Sequence, residues 1–162
     1  MTRRRRDTPP PDPGSSHLAA LRLLGRRDYT SAELRSRLIE KRHDADEVEA
    51  TIVRLRADGW LNDQRVALAH VRTAANLKGR GPLRIRRELE ARGLDAATVR
   101  QSTETVSDED VETAIRRFLS RKRLPSPIPL DQRQRLFQQL LRRGFPAAAI
   151  GKALKTPFDT ED

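Results

Sequence analysis

The sequence predicts an all-α fold of three tandem three-helix repeats, and three observations carry that reading. A hydrophobic skeleton returns at an interval of 51 residues: Leu34, Leu38 and Val48, then Ile85, Leu89 and Val99, then Leu136, Leu140 and Ile150. Within each copy the apolar residues are spaced by helical turns, not by the alternation of a strand. The second and third copies also share an Arg-Gly corner, Arg92-Gly93 and Arg143-Gly144, between their last two helices. A period of this length marks a repeated helical unit. Rows of such units present long surfaces to long partners.

Residues 1–15 hold four consecutive arginines and a Pro-rich run, Pro9-Pro10-Pro11-Asp12-Pro13. Nothing there can bury apolar surface, so a disordered tail is expected, serving as a loose electrostatic tether or simply as a soluble end. The first repeat, 16–60, opens with Ser16 as a candidate N-cap and Leu18, Leu21 and Leu24 on one helical face. Thr30 and Glu33 have capping-box spacing before a helix carrying Leu34 and Leu38. Asp44 and Glu47 repeat that signal before Val48, Ile52 and Leu55, and Asp58-Gly59 ends the third helix.

The second repeat, 61–106, starts after Trp60, which is expected to seal the joint between repeats, with base stacking as the functional alternative. Asn62 caps a helix with Val66, Ala69 and Val71 that Leu77 would close. Pro82 suits the first position of the next helix, which ends at Gly93, where a left-handed backbone is cheapest for glycine. Asp95 caps a helix with a weak apolar face around Val99.

The third repeat, 107–156, begins with Ser107 and the carboxylates Asp108, Glu109 and Asp110, which the helix dipole favours at an N-terminus. Val111, Ile115, Phe118 and Leu119 form its stripe, and Leu124 to Leu130 reads as a stiff, extended, Pro-rich connector. Leu136, Phe137, Leu140 and Leu141 line the next helix, and Pro146 opens a last one with Ile150 and Leu154. Residues 157–162 are expected to fray.

The chain carries 33 basic and 23 acidic residues, a formal charge of +10, and only five of the basic residues are Lys. Arginine-rich surfaces grip phosphates and carboxylates in pairs, so nucleic acid and acidic protein surfaces both suit it. There is no Cys, which removes disulfides and thiolate metal sites and fits a reducing compartment. No apolar run approaches the ~20 residues that cross a bilayer. A soluble, cytoplasmic protein without membrane contact is expected.

The search for catalytic chemistry finds none, and neither an enzyme nor a cofactor is expected. His17, His43 and His70 lack ligand spacing and read as surface or boundary residues. Gly151-Lys152-Ala153 resembles the end of a phosphate-binding loop, but Ala153 stands where a metal-binding hydroxyl belongs and no strand precedes it. The strongest chemistry is basic. Lys78, Arg80, Arg84, Arg86 and Arg87 fall within ten residues across a Gly-rich turn and what reads as one exposed helical face, with Glu88 the only acid beside them. Arg116, Arg117, Arg121, Lys122 and Arg123 form a second patch.

The run Gly59-Trp60-Leu61-Asn62-Asp63-Gln64-Arg65-Val66-Ala67 resembles the Gly-aromatic-Leu-Asn/Asp-Asp-x-Arg-Phe-Ala signature of the RecX family, regulators of the RecA recombinase. Ile85-Arg86-Arg87-Glu88-Leu89, Tyr29 to Leu34 and Leu141 to Phe145 fit the same pattern, so the resemblance covers roughly residues 17–155. Val66 departs from the usual Phe. Arg42-His43 stands where the other copies have Gly93-Leu94 and Gly144-Phe145, so the first repeat is expected to turn its corner differently. The resemblance implies an elongated, curved molecule, and a monomer is expected. It implies binding in the groove of the RecA–single-stranded-DNA filament, with room for a weak direct contact to the DNA. It also implies inhibition of RecA's ATPase, strand-exchange and co-protease activities, and hence modulation of recombination, DNA repair and the SOS response. The alternative from the residues alone is a direct DNA-binding protein of helix-turn-helix type.

Overall fold

The structure, a computed structural model, describes residues 14–155, so the expectations for residues 1–13 and 156–162 lie outside the described residues. The described residues are helical and contain no strand. In chain order the helices are α1 (Ser15–Leu24), α2 (Ser31–Glu40), α3 (Ala45–Ala57), α4 (Asp63–Arg72), α5 (Pro82–Ala91), α6 (Ala96–Thr103), α7 (Asp108–Ser120), α8 (Leu130–Arg142) and α9 (Ala147–Lys155), with a π-helical turn at Thr73–Leu77 after α4. All nine residues of the repeating skeleton are buried, none more than 4% exposed. The chain divides into two compact units, residues up to 66 with 92–94, and residues 67–91 with those from 95 on.

In the first unit, α1, α2 and α3 pack against one another. Their core comprises Ala20, Tyr29, Leu34, Leu38, Val48, Ile52, Leu55 and Leu61. Thr30 and Glu33 form the expected capping box, each closing a free amide of the other's backbone. Ser16, however, is not the cap of α1. Gly14 holds that position, and Ser16 is buried in the helix with its hydroxyl 2.8 Å from Glu47 Oε1 and 2.7 Å from Thr51 Oγ1. Glu47 therefore does not complete a box with Asp44. It accepts from the Gly14 and Ser16 amides instead and so caps α1 from a distant part of the chain. With Ser16 inward, the buried face of α1 runs through Ala20, and Leu18 is left exposed.

Trp60 does not seal a joint: it is 60% exposed, whereas Leu61 is 3% exposed. Gly59, at φ 76°, reverses the chain so that the Leu61 amide donates to Leu55 O at 3.1 Å, which turns Leu61 and not Trp60 into the core.

The first corner also departs from expectation. Arg42 takes a left-handed φ of 67°, the same region as Gly93 at 75° and Gly144 at 86°. The His43 amide donates to Leu38 O and the Phe145 amide to Leu140 O, both at 3.2 Å. The corner is therefore turned by the same bond, with an arginine carrying the strain. His43 fills the buried place held elsewhere by Leu94 and Phe145, its Nδ1 3.2 Å from Ser15 Oγ, so it is not a surface residue.

Glu33 is the main charged hub of this unit. Arg92, which belongs to it, donates from Nε to Oε1 at 2.9 Å and from Nη2 to Oε2 at 3.0 Å, while Thr30 Oγ1 donates to Arg92 O at 2.8 Å. Burial is the largest influence and works against the ionised carboxyl, but the hydrogen bonds from Arg92 and the Thr30 amide, with the charges of Arg92 and Arg27, together outweigh it and leave the pKa lowered.

In the second unit, α5 packs on α6 and on the π-helical turn, and α9 packs on α7 and α8. Asn62 and Asp95 cap α4 and α6 as expected, through the amides of Arg65 and Thr98. Ser107 and Asp110 form a capping box at α7. Leu77 does not close α4, being 82% exposed. The wider π turn, closed by the Lys78 amide on Thr73 O at 3.2 Å, inserts an extra residue and rotates Leu77 away from buried Ala74. The 124–130 connector bends at Ser126 and Pro127, so it is not uniformly extended. Pro146 stands just before α9, accepting from the Ile150 amide.

Two outcomes follow. Arg42→Gly, which relieves a left-handed side chain at some cost in unfolded-state entropy, should raise unfolding stability by about 0.5–1 kcal/mol in urea melts. Because the folded pKa of Glu33 is depressed, its contribution is present above the unfolded carboxyl value and lost as pH falls through the folded one. Glu33→Gln should thus destabilise the protein at pH 7 and far less at pH 3. An equal deficit at both pH values would show that the ion pair is not the cause.

Candidate anion-binding groove

The second unit is held at its centre by two glycines. Gly81 N donates to Arg143 O at 2.8 Å and Leu83 N to Gly144 O at 3.0 Å, which ties the turn before α5 to the α8–α9 corner. A Cβ on Gly81 would fall on the backbone of Gly144 and Phe145, and one on Gly144 would fall on Arg84. Glycine is required at both places for two backbones to meet this closely.

This contact builds a groove. One cavity of about 550 Å³ is lined by Lys78, Arg80, Arg84, Phe118, Lys122, Gln139, Arg142 and Arg143. A second, of about 540 Å³, shares Lys78, Phe118, Lys122 and Arg143 and adds Arg117 and Arg121 with Ala75, Asn76, Leu77, Gly79 and Ala114. Eight cationic side chains therefore converge from the turn, α5, α7 and the end of α8, and none of the described lining residues is acidic. Phe118 is half-buried between two of them, with the Arg143 guanidinium 4.8 Å and the Lys122 ammonium 5.1 Å from its ring centre. Arg143 is fixed further by its Nη1, which donates to Gly79 O at 3.3 Å.

Glu88 sits behind this wall. Its carboxylate takes Arg80 at 2.6 Å, Arg84 at 3.0 Å and His70 at 2.9 Å. Burial again opposes the charged form, and the hydrogen bonds from Arg84, His70 and Arg80 override it, leaving the Glu88 pKa lowered. One carboxylate thereby orients two arginines at the groove and neutralises only part of their charge.

The structure sorts the two basic clusters differently from the sequence. Lys78, Arg80 and Arg84 meet Arg117, Arg121 and Lys122 in one groove. Arg86 and Arg87 do not share that face: they lie outside the lining, with Arg86 paired to Glu90 at 3.6 Å. Arg116 and Arg123 also fall outside it. Arg142, Arg143, Phe118 and Gln139 were not signalled as site residues by local charge runs. The repeat register does carry a signal for Arg143, because Arg84 and Arg143 lie 51 residues after Glu33 and Arg92. Among the described residues no cluster of three or more His, Asp or Glu could hold a metal ion. No described helix is long and apolar enough to cross a membrane.

Gly144→Ala should lower unfolding stability by at least about 2 kcal/mol, since it combines a left-handed strain with a backbone clash. Gly151→Ala, in open space on α9, should be neutral or slightly stabilising in the same melts.

Comparison with known proteins places this architecture. Residues 18–55 match the model of the first three-helix domain of RecX, and residues 62–102 that of the second. The regulatory protein RecX of Xanthomonas oryzae pv. oryzae is 39% identical over 145 residues, spanning 88% of this chain and 86% of that protein. The regulatory protein RecX of Halorhodospira halophila is 35% identical over 147 residues, spanning 89% and 88%. The crystal structure of RecX from Lactobacillus salivarius superposes with a TM-score of 0.75 at 23% identity, over 86% of this chain and 92% of that one. With its helical fold, its paired three-helix domains and relatives this similar along most of their length, the chain belongs to the RecX family of regulatory proteins.

Proposed function

We propose that this protein binds the RecA–single-stranded-DNA filament and lowers RecA's ATPase, strand-exchange and co-protease activities, acting in the cytoplasm on recombination, repair and the SOS response. The observation that carries the reading is the convergence of eight cationic side chains on one groove in a chain of the RecX family. A filament offers a polyanionic strand and a regular protein lattice. A chain of small helical units can engage several of its subunits at once and gain affinity through effective concentration. In this reading the repeats span 16–60, 61–106 and 107–156. The contact surface centres on Lys78, Arg80 and Arg84, supported by Arg117, Arg121 and Lys122. No chemistry of its own is assigned to the chain, which acts by occupying its partner.

The test is RecA ATP turnover on single-stranded DNA. Added at or below the concentration of RecA, the protein should depress turnover and shorten filaments. The double reversal Lys78→Glu with Arg80→Glu should need several-fold more protein for the same effect while circular dichroism shows the helices intact. Unchanged turnover and filament length across a wide titration would overturn the proposal.

A further inference from the structure

We propose that the groove around Phe118 is a site for the sugar-phosphate backbone of single-stranded nucleic acid, so that within the filament this part of the protein touches the strand and not RecA. The inference rests on the preceding one only in naming the natural setting of the strand. Binding itself can be measured without RecA.

The first support is a charge inversion between two equivalent places in the repeat. In the first unit Glu33 and Arg92 form a bidentate pair. Fifty-one residues later the same two positions are Arg84 and Arg143, at a corner held by the backbone bonds of Gly81 and Leu83. The corner forms without an ion pair across it: Arg84 turns to Glu88 at 3.0 Å, Arg143 has no ion pair with a described carboxylate, and the positive charge left at the corner raises the local potential. An exogenous anion lowers it.

The second support is the extent of the groove. Two cavities, each of more than 500 Å³, share one wall and have cations along both. That fits a string of phosphates better than one isolated anion, and Arg is suited to grip each in bidentate fashion.

The third is the chemistry of the lining, which separates nucleic acid from protein. A protein interface has a core depleted in charge, whereas nucleic-acid interfaces are polar and strongly positive. Here Phe118 is the one aromatic residue of the lining, and Arg143 and Lys122 sit against its ring. The ring thus serves as a platform for cations, and the site reads phosphates without preference for base. A flexible single strand can fold its backbone into such a groove, whereas a stiff duplex would have to bend to bring successive phosphates to both walls.

The experiment measures binding of the full chain, without RecA, to a fluorescent oligothymidylate of about 15 nucleotides over a salt series. Affinity should fall with salt at a log–log slope of roughly −0.7 for each phosphate engaged, a total near −3 or steeper. Arg84→Glu restores the charge pattern of the Glu33–Arg92 corner and is therefore compatible with the fold. It should weaken binding about tenfold and flatten the slope. Lys122→Glu, on the exposed end of α7, should do the same and carries the test if the first variant unfolds. Arg135→Glu makes an equal charge change at a side chain 79% exposed and outside the groove, and should alter affinity less than twofold. The proposal is overturned if Arg135→Glu weakens binding as much as Arg84→Glu. It is equally overturned if a duplex of the same length binds as tightly, or if polyglutamate of matched charge competes as well as the oligonucleotide. None of these results bears on RecA inhibition, which is read in a separate assay.

Discussion

The second unit depends on the meeting of two glycines. Gly81 and Gly144 bring the start of α5 against the α8–α9 corner so closely that no side chain fits at either place. Two backbone hydrogen bonds then fix the register of the contact. The register of this joint is set by backbone, and the side chains around it add only the bond of Arg143 Nη1 to Gly79 O and a longer one of Arg84 Nη1 to Arg142 O. Lys78 and Arg80 lie in the turn, Arg84 follows it, and Arg142 and Arg143 end α8, so five cations are drawn to one place by a contact that the backbone bonds of Gly81 and Leu83 fix. Loss of either glycine would dissolve the groove as a consequence of dissolving the joint.

The first unit solves the corresponding problem with side chains. Arg92 clasps Glu33 through both oxygens and accepts a hydrogen bond from Thr30 on its carbonyl. Thr30 stands at the position of Gly81, and Glu33 at that of Arg84. One repeat therefore uses a hydroxyl and an ion pair where the other uses backbone bonds, with Arg84 turned to Glu88 and Arg143 laid against Phe118. A sequence obeys local rules of charge pairing except where something else is required, and such exceptions concentrate at functional places. The exception here is asymmetric along the repeat: at the first corner the two positions pair with each other, whereas at the last Arg84 pairs with Glu88 and Arg143 makes no ion pair with a described carboxylate.

Much of this was legible before any coordinates. The 51-residue skeleton located the buried faces of the second and third helices of each repeat, because a residue that packs inward in one repeat packs inward in the next. Capping residues Thr30, Asn62, Asp95 and Ser107 each started the helix their spacing announced. What failed was orientation over one or two residues. Ser16 looked like a cap because caps are recognised by type, while its partners Glu47 and Thr51 lie more than thirty residues away. Trp60 looked like a seal because it is large, but the left-handed turn at Gly59 decides which neighbour faces inward. Arg42 looked like a different corner because glycine is the cheap occupant of that conformation; the surrounding helices impose the conformation regardless and the arginine bears the strain. The groove itself was half visible. Charge runs along the chain marked the turn and α7, but Arg142 and Arg143 are brought to them by a contact between distant backbones, which no local run of charge encodes.

The distribution of charge also explains how one chain can be strongly basic without being indiscriminate. Many of its arginines are paired within a helix, as Arg37 with Glu40, Arg54 with Asp58, Arg86 with Glu90 and Arg100 with Glu104. Such exposed pairs add little to stability, but they cancel much of the field that would otherwise attract polyanions anywhere on the surface. Around the groove the pairing is withheld from Arg117, Arg121, Lys122, Arg142 and Arg143, which make no ion pair with a described carboxylate. Glu88 is set behind Arg80 and Arg84, where it orients them without covering them. Net charge brings a polyanion to the molecule. The local failure of pairing decides where on the second unit it comes to rest.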